Sequence, residues 1–272
     1  MMTDKPRSIV TWNIQGLFMH MNDDKTRNIL YQLKRMHEFD IICLQELKSI
    51  TDCVPTSRFE DLGYKYRVIR GQKSYNGVAI ISRIPLMETG FYDYCSKGDA
   101  RHVFARLNNG VEIQNFYVPA GGDVADRESN EKFAHKLDFL QEMKNNFLKK
   151  RLSKTIIVGD FNIAPLNEDV WSHKQLTKVV SHTPIEIEAL QQVAIAGNFV
   201  DITRKDIPEG LLFSWWSYRS PNWIMSDRGR RLDHIWATSD IAFKAHSSFI
   251  LKEARSWERP SDHVPVFAEF DL

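Results

Sequence analysis

Residues 155–165 read Thr-Ile-Ile-Val-Gly-Asp-Phe-Asn-Ile-Ala-Pro. The opening run Thr155–Val158 is β-branched and apolar, as strands are. Asp160 and Asn162 then flank Phe161. In an extended chain, positions two apart share a side, so Asp160 and Asn162 face together while Phe161 faces the core. A carboxylate beside an amide can orient a water and hold a phosphoryl oxygen. An Asx-turn at a strand end would use the same two residues.

Similar runs recur in both directions from this stretch. They predict strands at Ile9–Ile14, Ile41–Glu46, Val78–Ser82, His102–Leu107, Val111–Val118, Thr155–Phe161, Arg231–Ala237 and Val264–Phe270. Between them lies a clear helix within Glu131–Lys150, where Phe133, Leu137, Leu140, Met143 and Phe147 recur every three or four residues. Weaker helices are predicted at Asn28–His37 and Ile187–Ala196. Alternation of this kind belongs to an α/β protein, either a parallel doubly wound sheet or two packed sheets with outer helices. Periodicity does not choose between them. A Gly-x-Gly-x-x-Gly fingerprint and a phosphate loop are both missing from the sequence.

With 272 residues, no repeat and no break in composition, the chain is expected to form a single domain spanning 1–272. A content of 43% hydrophobic and 26% charged residues excludes disordered and collagen-like classes. No run of eighteen apolar residues predicts a membrane span. The N-terminal Met-Met-Thr-Asp-Lys-Pro-Arg carries no apolar signal core, and no appended regulatory segment is expected. Cys43, Cys53 and Cys95 make no disulfide framework, so a reduced, cytoplasmic compartment is expected, with Cys43 as a buried small hydrophobe. Thirty-six Lys and Arg against 35 Asp and Glu give +1, which excludes a generic basic coat but not a local basic patch.

Polar residues recur at the ends of the apolar runs: Asn13, Glu46, Asp160 with Asn162, Asp233, and Asp262 with His263. If those ends converge, they form a pocket of carboxylate and amide oxygens with one imidazole. Oxygen ligands of this kind suit Mg²⁺ or Mn²⁺ rather than zinc. Glu46 ends an apolar run, so its carboxylate belongs at the rim or on a cation. Asp262 and His263 are adjacent and would diverge on a strand, leaving Asp233 as the best partner to orient the imidazole. Tyr117 precedes Pro119 and the pair Gly121-Gly122, where its phenol could donate to a phosphate or simply pack.

The stretch Phe213–Arg231 holds Phe213, Trp215, Trp216, Tyr218 and Trp223 with Arg219, Arg228, Arg230 and Arg231, against one acid, Asp227. Aromatic faces interleaved with guanidinium groups suit stacking on bases or sugars and clamping phosphates. A tryptophan-rich core segment with exposed arginines would look the same in composition. A second basic and aromatic stretch, Tyr64–Tyr75, reads as an alternating strand.

Taken in order, these pieces resemble the exonuclease III family of apurinic/apyrimidinic endonucleases. The motifs are Thr11-Trp12-Asn13-Ile14, Leu44-Gln45-Glu46, Tyr75-Asn76-Gly77-Val78-Ala79, Asn115-Phe116-Tyr117 and Gly159-Asp160-Phe161-Asn162-Ile163-Ala164-Pro165. Trp215-Trp216-Ser217-Tyr218-Arg219, Arg228-Gly229-Arg230-Arg231-Leu232-Asp233-His234 and Ser261-Asp262-His263-Val264-Pro265 complete the set, which spans residues 9–270. Each is weak alone; their order is what identifies. Lys132-Phe133 and His135-Lys136-Leu137-Asp138-Phe139 are similar to the bacterial branch.

The resemblance implies a four-layer α/β sandwich (deoxyribonuclease I-like), two packed β-sheets flanked by helices. It implies Mg²⁺- or Mn²⁺-dependent hydrolysis of DNA phosphodiesters 5′ to abasic sites, with 3′–5′ exonuclease and 3′-phosphatase activity. Double-stranded DNA with abasic sites or 3′ ends is then the partner, and a monomer is expected. Glu46 would be the principal metal ligand, helped by Asn13 and Asp262, with Asp160, Asn162 and His263 as further candidates. Asp160 would activate or position the water, Asn162 hold the phosphate, His263 with Asp233 stabilise charge, and Tyr117 donate to the phosphate. Lys73, Arg101, Trp215, Tyr218 and Arg219 would contact DNA. Two departures stand out: Phe18 sits where the family often has Arg, and Leu47 follows Gln45-Glu46 in place of Thr. The alternatives are a phosphodiesterase of the same superfamily acting on RNA or phospholipid headgroups, and a non-catalytic DNA-binding protein. Intact Glu46, Asp160 and His263 argue against the last.

Overall fold

A computed structural model describes residues 6–16, 38–220 and 222–272. The predicted helix Asn28–His37 and Phe18 lie outside the described residues.

Six strands form a first sheet: β1 (Pro6–Asn13), β2 (Ile41–Gln45), β3 (Tyr66–Arg70), β4 (Val78–Ser82), β13 (Ala245–Ile250) and β14 (Val266–Asp271). A second sheet has β5 (Glu88–Gly90), β6 (His102–Arg106), β7 (Glu112–Tyr117), β8 (Thr155–Asp160), β9 (Phe199–Asp201) and β12 (Asp233–Thr238). Two short strands, β10 (Trp215–Trp216) and β11 (Gly229–Arg230), form a separate ribbon. The spatial orders are β13-β14-β1-β2-β4-β3 and β5-β6-β7-β8-β12-β9. Among the described residues, only β1/β2 and β7/β8 pair in parallel, so the doubly wound alternative falls away.

Alternation along the strands builds the layers. From the first sheet, Ile9, Ile41, Cys43, Val78 and Ile80 meet Val103, Ile113, Ile156, Val158 and Ile235 of the second in a central core. Val10, Trp12, Ile42 and Leu44 point the other way, toward Phe39, Phe59 and Trp216. On the far side, Phe116, Ile157 and Trp236 pack on helix α1 (Glu131–Lys150) through Phe139, Leu140, Met143 and Phe147, and on helix α2 (Pro184–Gly197) through Leu190 and Val193. Both helices obey end rules. Asn130 caps α1 by accepting from Lys132 N–H, while α2 starts with Thr183, Pro184 and a Thr183/Glu186 capping box. No described helix is long and apolar enough to cross a membrane.

The parallel pairs matter most for function. β1, β2, β7 and β8 all end at one edge of the sandwich, where β12 and the segment before β14 begin. The seven polar residues at the ends of the apolar runs therefore gather at that edge.

Candidate active site

Sheet register sets the first three groups in one transverse row. Tyr117 is opposite Asp160 across β7/β8, and Asp160 is opposite Asp233 across β8/β12. The strand predicted to reach Phe161 ends one residue earlier, at Asp160. Gly159, just before that end, must be glycine: its φ is +137°, and a Cβ there would sit 1.9 Å from the Phe116 carbonyl oxygen. Phe161 does face the core, but Asn162 turns into the left-handed region, φ +54°. Its N–H donates to Asp160 Oδ1 at 2.9 Å, and its Nδ2 to Asp160 Oδ2 at 3.2 Å and the Val118 carbonyl at 2.9 Å. The Asx-turn and the carboxylate–amide pair are thus one structure.

The opposite sheet contributes Asn13 and Glu46. Buried Asn13 donates through Nδ2 to both Glu46 Oε1 and Asp160 Oδ2, each at 2.9 Å, and so spans the seam between the sheets. Tyr117 Oη also donates to Glu46 Oε1 at 2.9 Å, and Lys48 Nζ lies 2.9 Å from Oε2. Burial works against the Glu46 charge, but the Asn13 hydrogen bond and Lys48 outweigh it and hold its carboxyl below the usual range. The Tyr117 phenol is pushed well above its usual value by burial and by the Glu46 and Asp160 charges, so it stays a donor.

His263 and its partners form the second half. His263 Nδ1 is 2.8 Å from Asp233 Oδ2, and Nε2 is 3.7 Å from Asp160 Oδ2. Ser214 Oγ donates to the same Asp233 oxygen at 2.6 Å. Burial opposes protonation of His263, but the facing carboxylates of Asp233 and Asp160 prevail and raise its pKa to about 10. Burial raises Asp160 to about 7, with His263 opposing and Asp233 adding to the rise. The arrangement holds an imidazolium beside a carboxylate poised to exchange a proton near neutral pH.

Ligand atoms of Asp160, Asp233 and His263 lie within 4.8 Å of one another, close enough to share a metal ion. His263 Nδ1 is engaged with Asp233 Oδ2, and its Nε2 faces Asp160. The oxygens of Glu46, Asn13 and Asp262 are also donors that suit a hard divalent ion. Asp262 stands apart from the network: Oδ2 accepts from Trp215 Nε1 at 2.9 Å, while buried Oδ1 has no hydrogen-bond partner among the described residues. A cation would satisfy such an oxygen.

Lys73 and Arg219 are exposed and Tyr218 is half-exposed, its Oη donating to the Pro260 carbonyl at 2.7 Å. Arg101 lies over the Tyr117 ring at 4.8 Å and donates to the Tyr117 carbonyl at 3.3 Å. Trp215 is partly exposed, whereas Trp216 is core. Here the sequence reading needs correction. Arg231 is no phosphate clamp but fully buried, held by Asp169 and Asp201. Arg230 is likewise tied down, donating to Val180 O and Ser181 Oγ.

Composition also hid the support beneath the site. Asn115 Nδ2 reaches across the sandwich to the carbonyls of Leu44 and Ala79, both at 2.9 Å, and its Oδ1 accepts from Gln45 Nε2 at 2.7 Å. Lys48 and Ser214 gave no signal in the sequence.

The sequence matches the Endonuclease/Exonuclease/phosphatase family over residues 10–263. Exodeoxyribonuclease III of Haemophilus influenzae is 30% identical over 276 residues, covering 96% of this chain and 98% of that protein. Among solved structures, an AP endonuclease from Archaeoglobus fulgidus superposes with TM-score 0.88 at 28% identity, covering 98% of this chain and 100% of its own. A 3′ phosphatase from Neisseria bound to product DNA hairpin gives TM-score 0.87 at 29% identity over 98% and 100%.

Proposed function

The chain belongs to the endonuclease/exonuclease/phosphatase family, and from that membership we propose a metal-dependent DNA repair nuclease that hydrolyses phosphodiesters 5′ to abasic sites. The same centre would carry 3′–5′ exonuclease and 3′-phosphatase activity on duplex 3′ ends. The reading takes residues 1–272 as one domain, acting as a cytoplasmic monomer.

The observation that carries it is the pairing of His263 with Asp233 beside Asp160. Asp160, held by Asn13 and Asn162, receives the proton of an attacking water as the water oxygen bonds to phosphorus, the P–O bond to the 3′ oxygen breaks, and the departing 3′ oxygen takes a proton from solvent. When phosphate binds, Asn162 Nδ2 exchanges its 3.2 Å bond to Asp160, and the Tyr117 hydroxyl its bond to Glu46, for the phosphoryl oxygens, and cationic His263 offsets the charge that develops there. Glu46, Asn13 and Asp262 would hold Mg²⁺ or Mn²⁺, which would neutralise charge on the phosphate and leaving oxygen. Lys73, Arg101, Trp215, Tyr218 and Arg219 form the rim toward DNA.

The test compares wild type, Asp160→Asn and His263→Ala on abasic and undamaged duplexes, with and without a chelator. Each variant should lose roughly 10²–10⁴-fold in rate. Chelation should abolish wild-type cleavage, and added Mg²⁺ or Mn²⁺ should restore it. Variants that cleave like wild type, or a folded wild type inert with Mg²⁺, would overturn the assignment.

A further inference from the structure

We infer that Lys136 is a positioning residue for this centre, acting through Asn162 and the turn that follows Tyr117. The inference rests on the nuclease reading above. Lys136 sits in α1 with its side chain fully buried. An ammonium has three donors, and here each has a partner. They are the Asn162 carbonyl at 2.8 Å, the Ala120 carbonyl at 3.3 Å, and Glu186 Oε1. Asn162 follows Asp160 off β8, and Ala120 follows Tyr117 off β7. One buried cation thus holds the backbone of both loops that carry the phosphate donors.

The anchor behind it is rigid. Glu186 is fully buried at the start of α2 and also accepts from Ser181 N–H, Thr183 N–H and Thr183 Oγ. A buried ion pair is weak support for a fold, since desolvation offsets its attraction and an apolar pair of similar volume often serves equally well. An apolar pair cannot, however, hold two carbonyls. Left-handed Asn162 leans on that bond, because its side chain is already spent on Asp160 and Val118. The plainer reading is that the pair only joins α1 to α2, and it makes a different prediction.

Two variants separate the readings: the double Lys136→Met/Glu186→Leu, and Glu186→Gln alone. Thermal midpoint, kcat and KM on an abasic duplex are measured well below the midpoint. The double variant removes the tether without stranding a charge. Its midpoint should fall, because the Asn162 and Ala120 carbonyls and the donors to Glu186 lose their partners, and its KM should stay within about threefold, while kcat falls about 10- to 100-fold, the scale of a 1 Å misplacement. Glu186→Gln keeps both carbonyl bonds, so kcat should stay within about threefold while the midpoint drops. A double variant with wild-type kcat, or kcat tracking the midpoint in both variants, would overturn the inference. Should the double variant not fold, Glu186→Gln decides: retained kcat supports the tether and a tenfold loss refutes it. Wild-type inactivity on the abasic duplex with Mg²⁺ would instead sink the nuclease reading.

Discussion

His102 shows how one side chain can write a pH dependence into the fold. It is fully buried on β6; Tyr92 N–H donates to Nδ1 at 3.0 Å, which places the ring proton on Nε2, facing Gln114 Oε1 at 3.2 Å. A second proton would set two N–H groups against each other, and burial accordingly lowers the pKa to about 3. The unfolded chain takes up a proton near pH 6.5, whereas the folded one does so only near 3. The contribution of His102 is therefore complete above pH 6.5 and lost as pH falls toward 3. His102→Phe should flatten denaturant-measured stability against pH between 6 and 4 by roughly 1.4 kcal/mol per pH unit. An unchanged slope would mean that His102 titrates normally. The catalytic candidates were legible at this scale because a polar residue ending an apolar run is conspicuous; Asp233 could even be matched to His263 by elimination. Lys48 and Ser214 were not, because ordinary surface-type residues gain meaning only from what the fold sets beside them.

Among the elements, β2, β4 and β7 are joined by more than apolar contact, since Asn115 bonds two carbonyls of the facing sheet. Asn115→Leu keeps the volume but strands the Leu44 and Ala79 carbonyls, at about 1–3 kcal/mol for each buried unpaired group. The urea midpoint should fall by an equivalent of ~2–4 kcal/mol, and a loss below about 1 would show that the bridge is dispensable. All eight strands expected from apolar runs form, Val78–Ser82 with its expected bounds and the others with at least one end shifted by one to three residues, and α1 spans the predicted residues. β13 went unseen because Ala245–Ile250 is a half-polar edge strand whose burial does not alternate. β10 and β11, at two residues each, are too short to carry a period. Which sheet each strand joins was equally hidden, because that depends on pairings across the whole chain rather than on local pattern.

At the scale of the molecule, a net charge of +1 conceals a partition. Acidic groups gather at the candidate site, Lys73 and Arg219 are exposed, and Arg231 is spent within the protein on Asp169 and Asp201. DNA affinity should therefore fall steeply with salt despite the balanced total. Lys73→Ala and Arg219→Ala should each reduce the slope of log K against log salt by about one. Titration of a fluorescent duplex at several salt concentrations checks this, and slopes equal to wild type would place both side chains off the DNA path. The transverse row of Tyr117, Asp160 and Asp233 has a historical consequence as well. Its spacing is set by strand pairing, which cannot drift without losing the fold, whereas the aromatic rim hangs on a two-residue ribbon that selection can edit cheaply. Descendants of such a scaffold would inherit one hydrolytic engine and diverge in what they feed to it.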